Sequence, residues 1–308
     1  MNSTKIKTTY RKEGGVRVTK WVGEAPDRLR ERFNRAIRGA VGLSHEPPLA
    51  CLDPAESFLP IDGVARVVNG DLPPMMIGGL ASLFFEMLHP HTMAGVAQHS
   101  RYQDDALGRV LQTANFIGST TYGSKQNAYA AIERVLAIHQ GVRGVADDGV
   151  AYYANDPHLL QWVHCAGTSM FLTAYQRYGA LTLSDRDADR YVAEVAGTAR
   201  HMGAESPPTS VAELNASLEA FRPELRLCAD GATARDFVVR GVVTKTHERL
   251  AYRIIVDAAF ALMKPWATEM LGVPAKPVVN RLLVRPAATM LSSAVRFAIP
   301  PAKPVTLR

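Results

Sequence analysis

From Met76 onward the chain carries helical periodicity almost without a break, and no segment of it alternates apolar and polar residues as a half-buried strand would. That restricts the fold to helices packed on helices. The punctuation gives the elements. A helix over Leu80 to His89 meets Pro90, one over Ala106 to Thr121 ends near Gly123, and one over Asn127 to Gln140 ends at Gly141. Asn155-Asp156-Pro157 supplies a cap and a first-turn proline for a helix running to Tyr178 and stopping at Gly179. Ser184 with Asp187, and Ser210 with Glu213, have capping-box spacing. A long helix spans roughly Thr246 to Met263, and shorter ones follow between Pro274, Pro277, Pro286 and Pro300. The expected architecture is all-α: a single large helical domain over residues 46–308, after an arm over residues 1–45 that carries one basic helix at 27–42. Residues 46–75, rich in proline, read as irregular.

A composition of 47% hydrophobic and 21% charged residues supports a sizeable core and excludes global disorder. No apolar run approaches a membrane span, and the polar N-terminus lacks a signal-peptide core, so a cytoplasmic location and no transmembrane segment are expected. The three cysteines are too scattered for a zinc ribbon or a disulfide framework. Charge is uneven. Residues 1–40 hold 11 Lys/Arg against 4 Asp/Glu, while residues 264–308 hold 7 against 1, around an acidic middle. Such ends can meet nucleic acid or an anionic membrane surface. No nucleic-acid module accompanies them, so no nucleic-acid partner is expected and solvated flanks are the simpler account. Gly-x-Gly-x-x-Gly, Walker A, Gly-x-Ser-x-Gly and His-Glu-x-x-His are all absent. Glu86-Met-Leu-His89 is a single Glu-x-x-His, where a di-iron bundle needs two. Asp185, Asp187 and Asp189 read as a solvated first helical turn.

Two histidines sit where a solvated one should not. His139 continues the apolar stripe of Ile132 and Val135. His164 shares a face with Leu160, Gly167 and Phe171. Each is either a ligand or a hydrogen-bonded core histidine. Gly167, in mid-helix, costs about 1 kcal/mol relative to Ala. Close approach of a flat group or a tight helix contact would each explain it. On the helix containing Gly108-Arg-Val-Leu-Gln-Thr113, residues Leu107, Val110, Leu111, Ala114 and Ile117 make the apolar side. Arg109, Gln112, Thr113 and Phe116 form a neighbouring face. Arg109 and Thr113, one turn apart, can address one ligand, and a fixed arginine suits a carboxylate such as a cofactor propionate. A surface arginine beside a helix-bonding threonine is the alternative.

The ordered set LHPHTMAGVAQHS, GRVLQT, IHQGVRG, Tyr-x-Ala-x-Asp-Pro-x-Leu-Leu-x-Trp-Val-His and TAYQRYG with LTLSDRDADRYVAEV resembles the bacterial family named for the latex-clearing rubber oxygenases, which includes the fungal mycophenolic-acid-pathway oxygenase. The likeness covers roughly residues 70 to 240. It implies an all-α fold holding b-type haem, with a histidine on the iron and an Arg-x-x-Lys-Thr segment over the opposite face. Arg109 and Thr113 match that arginine and threonine, and Gln112 takes the place of the lysine. His139, in His139-Gln-Gly-Val-Arg143, matches the proximal ligand, with His164 as second choice or pocket residue.

The resemblance thus implies His139 as the metal ligand, and His139, His164, Arg109, Thr113, Gly167 and Phe116 around the cofactor. Arg109, Gln112 and Thr113 would be the catalytic groups. A glutamine amide is a poor iron ligand but a usable hydrogen-bond donor, so the sixth position would be open or held by another residue. The absence of Cys-x-x-Cys-His implies haem held without covalent attachment. The expected function is a haem b-dependent oxygenase or related oxidoreductase acting on a small or apolar organic substrate with O₂ or peroxide, and with an electron donor where the reaction requires one. A non-catalytic haem carrier or sensor, and a helical protein without cofactor, are the alternatives.

Overall fold

A computed structural model describes residues 50–241 and 246–299. The basic arm expected over residues 1–45, with its helix at 27–42, lies outside them. The described residues form α1 (Val64–Asn69), α2 (Leu72–Glu86), α3 (Pro90–His99), α4 (Ala106–Tyr122), α5 (Lys125–Gln140), a hairpin of β1 (Arg143–Val145) and β2 (Ala151–Tyr153), α6 (Pro157–Tyr178), α7 (Asp185–Met202), α8 (Val211–Phe221), α9 (Ala229–Arg240), α10 (Thr246–Leu262), α11 (Pro265–Met270), α12 (Pro277–Val279) and α13 (Arg285–Ala298). A π-helical stretch, Asn280–Val284, joins the last two. The fold is all-α.

The caps explain the boundaries. Asp156 accepts from the His158 N–H at 2.8 Å, Pro157 opens α6, and Gly179 closes it. Ser184 and Asp187 make a reciprocal capping box at the start of α7, so Asp187 is buried there rather than solvated. Two expectations need correction. Residues 62–75 are largely helical, because Pro73 and Pro74 fall in the first turn of α2, where a missing N–H costs nothing. The Arg143–Tyr153 stretch forms a short antiparallel hairpin, turned at Gly149 with φ of 80°.

The centre is the pair α2 and α6, with α10 and α13 against α2, and α7 and α8 against α6. Phe84, Phe85, Trp162, Tyr175 and Tyr191 are almost wholly buried there. Each such side chain contributes about 2 to 3 kcal/mol of burial. Phe84 stacks on Phe260 at 4.2 Å between ring centroids. α2 approaches α6 closely at Gly78, where an added Cβ would stand 3.0 Å from Ala174 Cβ and from Phe171 Cα. Asp71, at the N-cap position of α2, does not cap that helix. Its buried carboxylate accepts from Arg296 Nε and Nη2 at 2.8 and 2.7 Å and from the Ala180 N–H at 2.8 Å, while Arg296 also donates to the Tyr178 carbonyl. One carboxylate thus ties α13 to both central helices.

Candidate functional site

Helix α4 begins where Asp105 accepts from the Gly108 N–H, and α5 where Ser124 accepts from the Asn127 N–H. The two pack on each other. The end of α4 is fixed to α1 by Tyr122 Oη donating to the Arg66 carbonyl at 2.7 Å. With α2 and α6, α4 makes at most marginal contact. Its N-terminal half is accordingly open: Arg109, Val110, Gln112 and Thr113 are exposed, and a Cβ at Gly118 would meet nothing within 4 Å. The charge of Arg109 on this open half reaches two buried or half-buried groups, Glu86 at the end of α2 and His139 in the last turn of α5.

His139 sits in that last turn, half-buried. Its Nδ1 lies 3.1 Å from Asn155 Oδ1. Asn155 Nδ2 donates to the Leu136 carbonyl at 3.1 Å, which sets the amide with its oxygen toward the ring. Nδ1 is therefore the protonated nitrogen, and Nε2 keeps its lone pair. Burial holds the imidazole below its ordinary pKa. The Asn155 hydrogen bond partly offsets this, and the Arg109 charge reinforces it. The ring is neutral at pH 7, as a metal ligand must be.

Glu86, the last residue of α2, is the group that sequence reasoning missed. Ser82 Oγ donates to its Oε1 at 2.5 Å. Burial raises its pKa from 4.5 to about 7, against the smaller lowering by Ser82 and by the Arg109 charge. Arg109 therefore acts on both Glu86 and His139, and the three come from α4, α2 and α5 to one region. Gly167 of α6 borders it: a Cβ there would lie 3.6 Å from Ser82 Oγ and 3.9 Å from Phe171 Cε2, ordinary contact distances. Protein packing does not demand a glycine at this position.

The other expected residues divide. Thr113 Oγ1 donates to the Arg109 carbonyl at 3.2 Å, the helix-bonding role, and Gln112 stays exposed beside it. Phe116 is half-buried, and its carbonyl accepts from Thr120 Oγ1. His164 pairs its Nδ1 with Thr168 Oγ1 at 3.4 Å, while its Nε2 is buried without a partner. Burial, helped by the Arg200 charge, pushes its pKa down to about 4. It is a second neutral imidazole, with one ring nitrogen left without a protein partner.

Among the described residues no three His, Cys, Asp or Glu side chains gather at metal-holding distance. A bare ion would need such a group. A haem iron brings four nitrogens of its own and needs one imidazole, with a cation for its propionates. His139 and Arg109 fit that requirement.

Fold and site define a helical domain in which a neutral histidine, an arginine and a proton-holding carboxyl border one open helix face. The family model described as "ER-bound oxygenase mpaB/B'/Rubber oxygenase, catalytic domain" matches residues 66–294, and the chain belongs to that family. The match runs from α1 into α13 and contains every residue of the site. No curated protein and no solved structure matches the chain.

Proposed function

We propose that the protein is a haem b-dependent oxygenase acting on a small or apolar organic substrate, with O₂ or peroxide as co-substrate and an electron donor where the reaction needs one. The observation that carries this reading is His139, whose Nδ1 is committed to Asn155, whose Nε2 keeps its lone pair, and which feels the Arg109 charge. His139 would hold the iron, and Arg109 would pair with a propionate. When bound, the haem would supply the activation of oxygen. Glu86 holds or releases a proton close to neutral pH. The exposed amide of Gln112 can donate a hydrogen bond to a bound oxygen or substrate, while the Thr113 hydroxyl proton is engaged by the Arg109 carbonyl. Phe116 and Gly167 would lie against the apolar body of the haem.

The test is the absorption spectrum of freshly purified protein with pyridine-haemochrome quantitation, for the parent, His139→Ala, His164→Ala and His158→Ala. One extractable haem per chain is expected, lost in His139→Ala and kept in His158→Ala. Colourless protein after expression with ample haem refutes the reading. Loss in His164→Ala with retention in His139→Ala moves the iron to α6. Haem retained without turnover in the presence of reductant or peroxide makes the protein a carrier or sensor.

A further inference from the structure

The segment LHPHTMAGVAQHS contributes no residue to the site, yet its helix, α3, is the one against which both strands of the hairpin rest. Gln98 makes the connection. Its Nε2 donates to the Val145 carbonyl of β1 at 3.0 Å, and its Oε1 accepts from Tyr152 Oη of β2 at 2.7 Å. A carbonyl takes a proton only from the amide nitrogen, so the Val145 bond fixes which end of the amide Tyr152 meets. His99 Nε2, one residue on, lies 3.1 Å from the Arg143 carbonyl of the same strand as Val145. Tyr152 is buried and close to α3: a Cβ at Gly95 would stand 3.5 Å from Tyr152 Cε2 and 3.4 Å from Val142 Cγ1. Gly144 leaves the space that the Gln98 amide fills, since a Cβ there would be 2.5 Å from Gln98 Oε1 and 2.9 Å from Tyr152 Oη. The turn of the hairpin is tied by surface pairs, Asp147 with Arg226 and Asp148 with His91, which contribute little.

We infer that Gln98 and Tyr152 are positioning residues for His139. The hairpin reaches His139 from both of its strands. β1 leaves directly from the last turn of α5, where the Val142 N–H donates to the His139 carbonyl at 3.0 Å. β2 returns to Ala154, whose N–H donates to the Val142 carbonyl at 2.9 Å, and so delivers Asn155 to the ring, 3.1 Å from Nδ1. Among the described residues, Gln98 alone hydrogen-bonds to both strands from outside the hairpin. Its amide has a donor for one strand and an acceptor for the other, and holds the pair against α3. That keeps Asn155 and His139 in the alignment in which Nδ1 carries the proton and Nε2 does not. Released from α3, the hairpin shifts on its base, and the ring places its proton on either nitrogen. This role rests on the proposal that Nε2 of His139 is the atom the cofactor needs.

The experiment is nitrogen-15 NMR of the imidazole rings in the full chain, free of haem, with the His139 signals assigned by their loss in His139→Ala. The parent should show a single His139 tautomer, protonated at Nδ1. Gln98→Ala, Tyr152→Phe and Gly144→Ala should each show both tautomers. Tyr152→Phe loses only a hydroxyl, and Gly144→Ala displaces only the end of the Gln98 side chain and the Tyr152 hydroxyl, so the test stands if Gln98→Ala does not fold, which circular dichroism reports. Gly78→Ala is the control: it strains the contact of α2 with α6 without touching the hairpin and should keep the single tautomer. Three results overturn the inference: a parent ring protonated at Nε2, a ring unchanged in the folded variants, or an equal change in Gly78→Ala, which would make the effect one of stability alone. In haem-loaded protein the three hairpin variants should lose haem to a scavenging globin about tenfold faster than the parent. Tautomers that change as expected while haem is held as before would keep the positioning role and take His139 off the iron, so the two readings fail separately.

Discussion

Glu86→Gln should make the protein more stable at high pH and remove a pH dependence that the parent shows. In the unfolded chain this carboxyl titrates near 4.5; in the folded protein, near 7. Between these values the unfolded state loses its proton while the folded state keeps it. Stability is therefore full below about pH 4.5, falls as pH rises, and levels off above about pH 7. The difference of 2.5 units, at 1.36 kcal/mol each, sets the loss at about 3 kcal/mol. Glutamine keeps the acceptor for Ser82 Oγ and carries no charge to desolvate. Urea unfolding of haem-free protein at pH 5 and pH 8 measures the effect. The parent should lose about 2 to 3 kcal/mol between the two, and the variant should lose much less. Equal losses would mean that Glu86 is solvated and that the buried-carboxyl argument fails, along with its role as a proton store at neutral pH.

Asp71→Ala leaves the half-buried Arg296 without its carboxylate and the Ala180 N–H without its acceptor, and should cost about 2 to 3 kcal/mol in chemical denaturation. Gly78→Ala forces a Cβ against Ala174 and the Phe171 backbone and should lower stability by about 1 to 3 kcal/mol. Gly118→Ala fills open space in a helix interior and should raise it by about 0.5 to 1 kcal/mol. Asn155→Ala frees the His139 ring and should weaken haem retention about 10- to 100-fold, measured as haem loss to a scavenging globin, with secondary structure unchanged.

Where local chemistry sets an element, its bounds could be read from the sequence alone. Helix α6 runs over Pro157–Tyr178 because Asp156, Pro157 and Gly179 are local signals. Helix faces set the side of its own helix on which each of Arg109 and His139 lies, while only the family resemblance puts them in one site; in the fold the Arg109 charge acts on His139. Glu86 escaped notice because its meaning depends on Ser82 and on burial under other helices. In the sequence Glu86-x-x-His89 reads only as half of a di-iron pattern that lacks its second copy; His89 starts α3 and lies 3.6 Å from Glu224. Asn155 reads as a residue just ahead of a helix cap, and only the hairpin's return over the end of α5 brings it to His139. The hairpin itself, three residues a strand, is too short for alternation to register. The prolines at 73 and 74 punctuate loops as often as they open helices, so α2 looked shorter than it is.

The Asp71 clamp has a bearing on synthesis. The two partners are 225 residues apart, and at about 5 to 20 residues per second a ribosome needs on the order of 10 to 45 s to travel between them. Throughout that interval Asp71 has no guanidinium to meet. The pairing of α2 with α6 can begin, since both helices emerge early, but their shared end stays open to water until residue 296 is made. The aromatic cluster at the far end of α2 closes earlier, because Phe221, Phe260 and Trp266, which pack on Trp162, Phe84 and Phe85, all precede α13. A chain cut short before Arg296 would lack the clamp and leave Asp71 with only the Ala180 N–H.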